Sequence, residues 1–308
     1  MGASNQTYTW LRRRFDEAGI RPQTRHGQNF LIDLNIVRLI ASSAELSTRD
    51  VVLEVGTGTG SLTAILARQA GAVVTVEIDS SMFALAAEEL HRLPNVRQLH
   101  MDALAGKNEM APEVLEAVRE AMARVPDARF RLVANLPYNV ATPILSNLLA
   151  CDIPPDSMTA TIQKEVADRI VAEPGTKEYG SLALWMQSQC DTSIVRVLPP
   201  TVFWPKPKVH SAIVRIVRSP EKVAKIADLA FYHRFVRSIF IHRRKFLRAE
   251  LLAATKTLAD LCGGRMLEKP AVDELLARLE IDPHVRAEQL DLATMLRLAE
   301  ATAAAMKN

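Results

Sequence analysis

The sequence predicts a Rossmann-like, mostly parallel α/β sheet with an antiparallel hairpin at one edge, followed by a small all-helical domain. Three observations predict it. From residue 51 short apolar runs alternate with helix-patterned segments, a glycine-rich turn follows the first of these runs, and β signals stop beyond Ser219-Pro220.

"VVLEV" (51–55) reads as the first strand and "SLTAILARQA" as its helix; "AVVTVEI" and "SSMFALAAEELHRL" repeat the pair. "VRQLHM" with "EVLEAVREAMARV", and "RFRLVAN" with "TPILSNLLA", continue the alternation, and "SMTATIQ" is a fifth strand. Strands apolar at nearly every position and separated by helices imply a parallel sheet covered on both faces. After "KEVADRIVAEP" and a helical "SLALWMQSQC", the β-rich runs "TSIVRVL" and "SAIVRIV" flank the proline-rich "PPTVFWPKPKVH", which reads as an antiparallel edge hairpin. "VDELLARLE" and "EQLDLATMLRLAEAT" then carry i, i+3, i+4 apolar spacing. The expected organisation is an N-terminal extension over 1–25, a catalytic domain over 26–220 and a helical domain over 221–308.

Composition excludes several classes. Hydrophobic residues are 48% and charged residues 24% of the 308, close to the soluble average. No apolar run approaches the roughly 20 residues of a membrane span. The N-terminus lacks the apolar stretch of a secretory signal, so a cytoplasmic location is expected. Cys151, Cys190 and Cys262 are far apart and lack ligand spacing, so they read as reduced core thiols with no metal site. Net charge is only +3, yet residues 233–249 hold six Lys/Arg and no acid, which points to a phosphate-rich partner.

"LEVGTGTGSL" sets Gly56, Gly58 and Gly60 between strand and helix, where glycine permits a tight turn and close approach of a nucleotide-type ligand. Ser61 stands where the dinucleotide fingerprint wants its third small residue; the G-x-G-x-G form preceded by Glu54 is similar instead to the S-adenosylmethionine loop of methyltransferases. Glu77 ends the second strand, where an acid can accept both ribose hydroxyls. Asp102 ends the third, at the height of an adenine amino group. Taken singly, these are a plain turn and helix N-caps; in register at successive strand ends they favour a cofactor crevice. Asp79 reads as an N-cap only.

"NLPYN" (135–139) closes the fourth strand. The Asn135 side-chain carbonyl, with a backbone carbonyl held by Pro137, makes two acceptors for one amino group. Two acceptors on its hydrogens favour a pyramidal nitrogen whose lone pair can attack a sulfonium methyl. Tyr138 would stack on an extruded base. The pattern resembles motif IV of amino-group N-methyltransferases.

With "GQNFLID", "LEVGTGTGSLT", "VEID", "NLPYNVATPIL", "QKEVADRIVAEPGTKEYGSL", "FWPKPKVHSAIVRI" and "IFIHRRKFLRAEL" in order, residues 25–260 closely resemble the KsgA family of ribosomal RNA adenine dimethyltransferases. The resemblance implies a Rossmann-like S-adenosylmethionine-dependent methyltransferase sheet. It implies S-adenosyl-L-methionine contacts from Gln28, Asn29, Leu31, Gly56, Gly58, Glu77, Ile78, Asp102, Ala103 and Asn135. It places Asn135, Leu136, Pro137 and Tyr138 at the target base, with Phe203 closing on its other face. Lys206, Lys208, Arg243, Arg244, Lys245 and Arg248 are the expected RNA contacts. The implied substrate is two adjacent adenines near the 3′ end of 16S rRNA in the 30S subunit, each dimethylated on N6 by a monomer.

The chain departs from the family pattern at Thr57 and Thr59, in a longer stretch between Asp102 and Asn135, and at His210. In the extension, Trp10, Leu11 and Phe15 could pack as one helical turn with Arg12 to Arg14 outside. Phe203 and Trp204 could be core aromatics, and the basic run a solvated face; Cys190 and His100 read as core. The competing functions are a 23S rRNA dimethyltransferase of the antibiotic-resistance type, a non-catalytic RNA-binding assembly factor, and, least supported, an NAD-dependent oxidoreductase.

Overall fold

A computed structural model describes residues 7–20, 28–107 and 109–307. Within the extension expected over 1–25, residues 1–6 and 21–25 lie outside the described residues. The chain divides into two compact units, Met1–Ala167 with Ser193–Arg218, and Asp168–Thr192 with Ser219–Asn308. Residues 168–192, expected from the sequence to belong with the sheet, group with the C-terminal helices.

In the first unit, helix α1 (Tyr8–Glu17) precedes the two-residue strand β1 (Phe30–Leu31) and helix α2 (Leu34–Ser43). The alternation then runs β2 (Asp50–Val55), α3 (Ser61–Leu66), β3 (Ala72–Glu77), α4 (Ser80–Leu90) and β4 (Val96–His100). A small hairpin, β5 (Leu104–Gly106) and β6 (Glu109–Met110), leads into α5 (Pro112–Arg124), β7 (Arg129–Asn135), α6 (Ala141–Ala150) and β8 (Ser157–Gln163). β9 (Cys190–Leu198), β10 (Phe203–Trp204) and β11 (Ser211–Arg218) complete the strands.

The seven-stranded sheet has the order β4-β3-β2-β7-β8-β11-β9. Its first five strands are parallel, and β11 runs antiparallel to β8 with Ser211 opposite Gln163. β2 is buried along its whole length, and β3 and β8 nearly so, as helices on both faces require. From β2 the chain proceeds outward through β3 and β4, then returns to β7 on the other side. That reversal makes the carboxyl ends of β2 and β7 a topological switch point, where open α/β sheets bind ligands. The core below it holds Val52, Leu66, Val73, Val133 and Ile213.

The described residues between Asp102 and the start of β7 include the paired strands β5 and β6 and helix α5. In α1, Leu11 and Phe15 are buried and Trp10 half-buried, packing with Phe30, Met82 and Leu85. Arg12 and Arg13 face outward, and Arg14 donates to Glu88 at 2.5 Å. Asp79 caps α4, accepting from the Ser81 and Met82 amides. Helix α3 ends at Leu66, earlier than its apolar pattern suggested. His100 is a correction: it ends edge strand β4 and is exposed, its ring against Phe83 at 5.0 Å, because the outermost strand has no neighbour to cover it. Cys190 and Cys262 are buried, whereas Cys151 is half-buried rather than core, because it follows the end of α6 with its thiol donating to the Leu148 carbonyl at 3.1 Å.

The second unit is helical: α8 (Ser181–Gln187), α9 (Pro220–Val223), α10 (Leu229–Ser238), α11 (Leu247–Leu258), α12 (Lys269–Arg278) and α13 (Leu292–Lys307). Helix α7 (Lys164–Ile170) begins in the first unit and ends in this one. Phe235, Leu251, Leu276 and Leu298, fully or almost fully buried, form part of its interior. Among the described residues no helix is long and apolar enough to cross a membrane.

Candidate active site

The two glycines nearest the switch point set the geometry. Gly56 has φ +87° and Gly58 φ +54°, left-handed conformations that side-chain-bearing residues adopt at a cost of about 1–2 kcal/mol. Gly56 lies directly against the N-L-P-Y turn: a β-carbon built there would sit 3.4 Å from Pro137 Cδ and 3.7 Å from the Asn135 carbonyl oxygen. The glycine loop and the turn after β7 are therefore two walls of one pocket.

Gln28, Asn29, Leu31, Gly56, Gly58, Glu77 and Ile78 all line that pocket. So do Asn135, Leu136, Pro137 and Tyr138. Glu77 is the acid best placed for a ligand's hydroxyls. Its two carboxylate oxygens each accept one backbone amide, from Gly58 and Asp79, both at 3.0 Å. Each oxygen keeps a lone pair for a further donor. Burial raises its pKa against the lowering effect of those amides.

Asn135 ends β7 with its amide nitrogen donating to the Asn29 carbonyl at 2.9 Å. This bond fixes the otherwise ambiguous amide flip, so the opposite end of the side chain is the acceptor. The next residue, Leu136, is anchored through its amide to the Thr161 carbonyl at 3.1 Å. Pro137 then turns the chain, its carbonyl accepting from Val140. Tyr138 is half-buried; its hydroxyl meets the Ser211 hydroxyl at 2.5 Å, and burial raises its pKa, so the phenol is neutral.

Beneath the loop lies a group that the sequence marked only as the acid before it. Glu54 is buried and accepts from the Thr63 hydroxyl at 2.5 Å and the Thr75 hydroxyl at 2.8 Å, and Thr75 meets the Thr57 hydroxyl at 2.7 Å. Loss of hydration pushes its carboxyl up to about 8, with nearby Glu77 adding to the rise. A protonated Glu54 is thus a hydrogen-bonded strut under the glycines.

Three expected residues are not on the pocket wall. Asp102 is exposed just past β4, accepting the Leu104 amide at 2.9 Å, and Ala103 is buried next to it. Phe203 is 2% exposed and packed among Leu31, Val37 and Ile40, where pairing of β10 with β1 puts it opposite Leu31. Its burial is that of a core aromatic. Lys206 and Lys208 are exposed in the loop that leads to Ser211.

In the helical unit the basic stretch separates by partner. Arg243 donates to the carbonyls of Tyr179 at 2.7 Å and Lys177 at 2.9 Å and pairs with Glu288, and Arg248 forms a two-pronged bond with Asp273. Arg244 and Lys245 are exposed and, among the described residues, have no acid partner. The sequence did not single out Ser211, Thr63 or Thr75, and it marked Thr57 only as a departure from the family pattern. Ser211 was visible only as part of the segment "FWPKPKVHSAIVRI".

A family model described as ribosomal RNA adenine dimethylase matches residues 20–263. The chain is 40% identical over 275 residues to the Ribosomal RNA small subunit methyltransferase A of Listeria innocua, covering 88% of each. To the protein of that name from Geobacillus kaustophilus it is 39% identical over 277 residues, covering 90% of this chain and 89% of the other. Among solved structures, a dimethyladenosine transferase from Plasmodium falciparum superposes with a TM-score of 0.69 at 24% identity, covering 87% of this chain and 95% of that one. The 23S rRNA methyltransferase ErmE gives a TM-score of 0.60 at 26% identity, covering 89% and 99%.

Proposed function

The chain belongs to the ribosomal RNA adenine dimethylase family, and from that premise we propose that it dimethylates the N6 amino groups of two adjacent adenines near the 3′ end of 16S rRNA. It acts on the 30S subunit as a cytoplasmic monomer. One observation carries the reading: the glycine loop and the N-L-P-Y turn are walls of one pocket, Gly56 packing on Pro137.

The pocket fits S-adenosyl-L-methionine. Gly56 and Gly58 keep the approach free of β-carbons, and Glu77 offers two oxygens to a ribose. Gln28, Asn29, Leu31 and Ile78 border the same space. S-adenosylmethionine, when bound, supplies an electrophilic methyl group. Asp102 and Ala103, just beyond β4, are proposed to meet the cofactor's base.

The remaining work belongs to the chain's own residues. Asn135, its amide nitrogen tied to Asn29, presents its side-chain oxygen to one N–H of the adenine, and the Leu136 carbonyl takes the other. Held this way, the amine directs its lone pair at the methyl donor. No general base is needed at Asn135, because the nitrogen becomes strongly acidic only after accepting the methyl group. Tyr138 stacks on the extruded base. Phe203 is proposed to hold β1 and β10 beneath the pocket, since its ring is buried. Lys206, Lys208, Arg244 and Lys245 contact rRNA phosphates, whereas Arg243 and Arg248 hold the helical unit together.

The test is methyl transfer from labelled S-adenosylmethionine. Under-methylated 30S particles should be labelled and naked 23S rRNA should not. Label in 23S alone would favour the antibiotic-resistance type of activity. Cofactor binding by calorimetry with no label in either RNA would favour a non-catalytic assembly factor.

A further inference from the structure

Tyr138 and Ser211 lie 73 residues apart, and their hydroxyls meet at 2.5 Å. Ser211 is fully buried as the first residue of β11. Its backbone is fixed on both sides: it pairs with Gln163 across the β11–β8 ladder, and the preceding His210 carbonyl accepts the Lys164 amide at 2.9 Å. Tyr138, by contrast, sits in a turn and is only half-buried. A tyrosine there has several staggered side-chain positions open to it. The phenol oxygen lies on the Cβ–Cγ axis, so a bond to it fixes where the ring points while leaving rotation about that axis free. That is the restraint a stacking platform needs: the direction is set in advance and the ring plane still adjusts to the base.

We propose that Ser211 is a positioning residue for methyl transfer, its hydroxyl holding the Tyr138 ring across the pocket before the base arrives. The inference rests on the methyltransferase reading above and deepens it. It also gives the final serine of "FWPKPKVHS" a purpose, since that serine ties the strand after the lysine loop to the N-L-P-Y turn.

The experiment is a double-mutant cycle on 30S methylation with Ser211→Ala, Tyr138→Phe and both together, with thermal unfolding of each. Loss of one hydrogen bond predicts a drop in kcat of about 3- to 10-fold for each single variant. The double variant should be no slower than either, and the KM for S-adenosylmethionine should not move. Ser211→Thr, which keeps a hydroxyl, should recover most of the rate. Should Ser211→Ala fail to fold, Tyr138→Phe removes the same bond from the half-buried side and must show the same drop. Multiplying effects in the double variant, or a full-rate Tyr138→Phe, would overturn the proposal. Wild-type protein that labels no RNA would instead defeat the methyltransferase reading itself.

Discussion

At the scale of single residues, the site separates groups that bind from groups that hold. Asn135 has its donor end committed to Asn29, so in the proposed mechanism truncation removes an acceptor aimed at the amine. Asn135→Ala should lower kcat by about 100-fold or more while weakening cofactor affinity much less, read by steady-state transfer and calorimetry. Tyr138→Ala should cost about 5- to 100-fold, the value of one base–aromatic stack, and exceed Tyr138→Phe. Equal, near-wild-type rates for the two would rule out stacking. Glu54 is a holding group, and its linkage has a definite sign. The folded carboxyl keeps its proton up to about 8, whereas the unfolded one releases it near the ordinary 4.5. Stability is therefore lost as pH rises through this window, at up to about 1.4 kcal/mol per pH unit. His233, its pKa lowered to about 4 by burial, acts in the opposite sense below its ordinary 6.5. Between pH 6.5 and 8 the Glu54 slope stands apart from it, and Glu54→Gln should flatten the fall in unfolding free energy expected of the wild type, as read by denaturant unfolding at each pH.

At the scale of elements, legibility followed periodicity. β2, β3 and β7 were readable because strands buried on both faces carry runs of apolar residues, β8 was readable through Met158, Ala160 and Ile162 alternating with buried threonines, and the loop was readable because glycine favours a left-handed turn. The pocket residues from Gly56 to Tyr138 followed from where strands end. Phe203 was not readable in the same way, since an aromatic between prolines is written alike whether it faces a ligand or packs opposite Leu31. The Tyr138–Ser211 bond and the Thr75 bond to Glu54 depend on strand order, which brings β11 beside β8 and β3 beside β2. Local pattern carries no record of that order. Gly56→Ala tests the turn itself. The added carbon meets Pro137 at ordinary contact distance, so its cost comes from φ +87°, about 1–2 kcal/mol. Cofactor affinity and the unfolding midpoint should both fall; unchanged values for both would show that the turn tolerates a side chain.

At the scale of the whole molecule, the basic residues of the helical unit divide into Arg243 and Arg248, which brace it, and the exposed Arg244 and Lys245, which are proposed to contact RNA. Arg243→Ala strips two carbonyls and Glu288 of their partner, so it should lower the unfolding midpoint. Arg244→Ala with Lys245→Ala should leave that midpoint in place and flatten the salt dependence of 30S binding by about 1 to 2 units of slope. An unaltered slope would make both residues a solvated face. The pocket at the switch point is proposed to methylate adenine amino groups of small-subunit rRNA. The most direct test is to map labelled methyl groups on RNA recovered from under-methylated 30S particles after reaction with the wild-type protein. N6,N6-dimethyladenine should appear at two adjacent positions near the 3′ end of 16S rRNA; label elsewhere, or on another atom of the base, would overturn the proposed function.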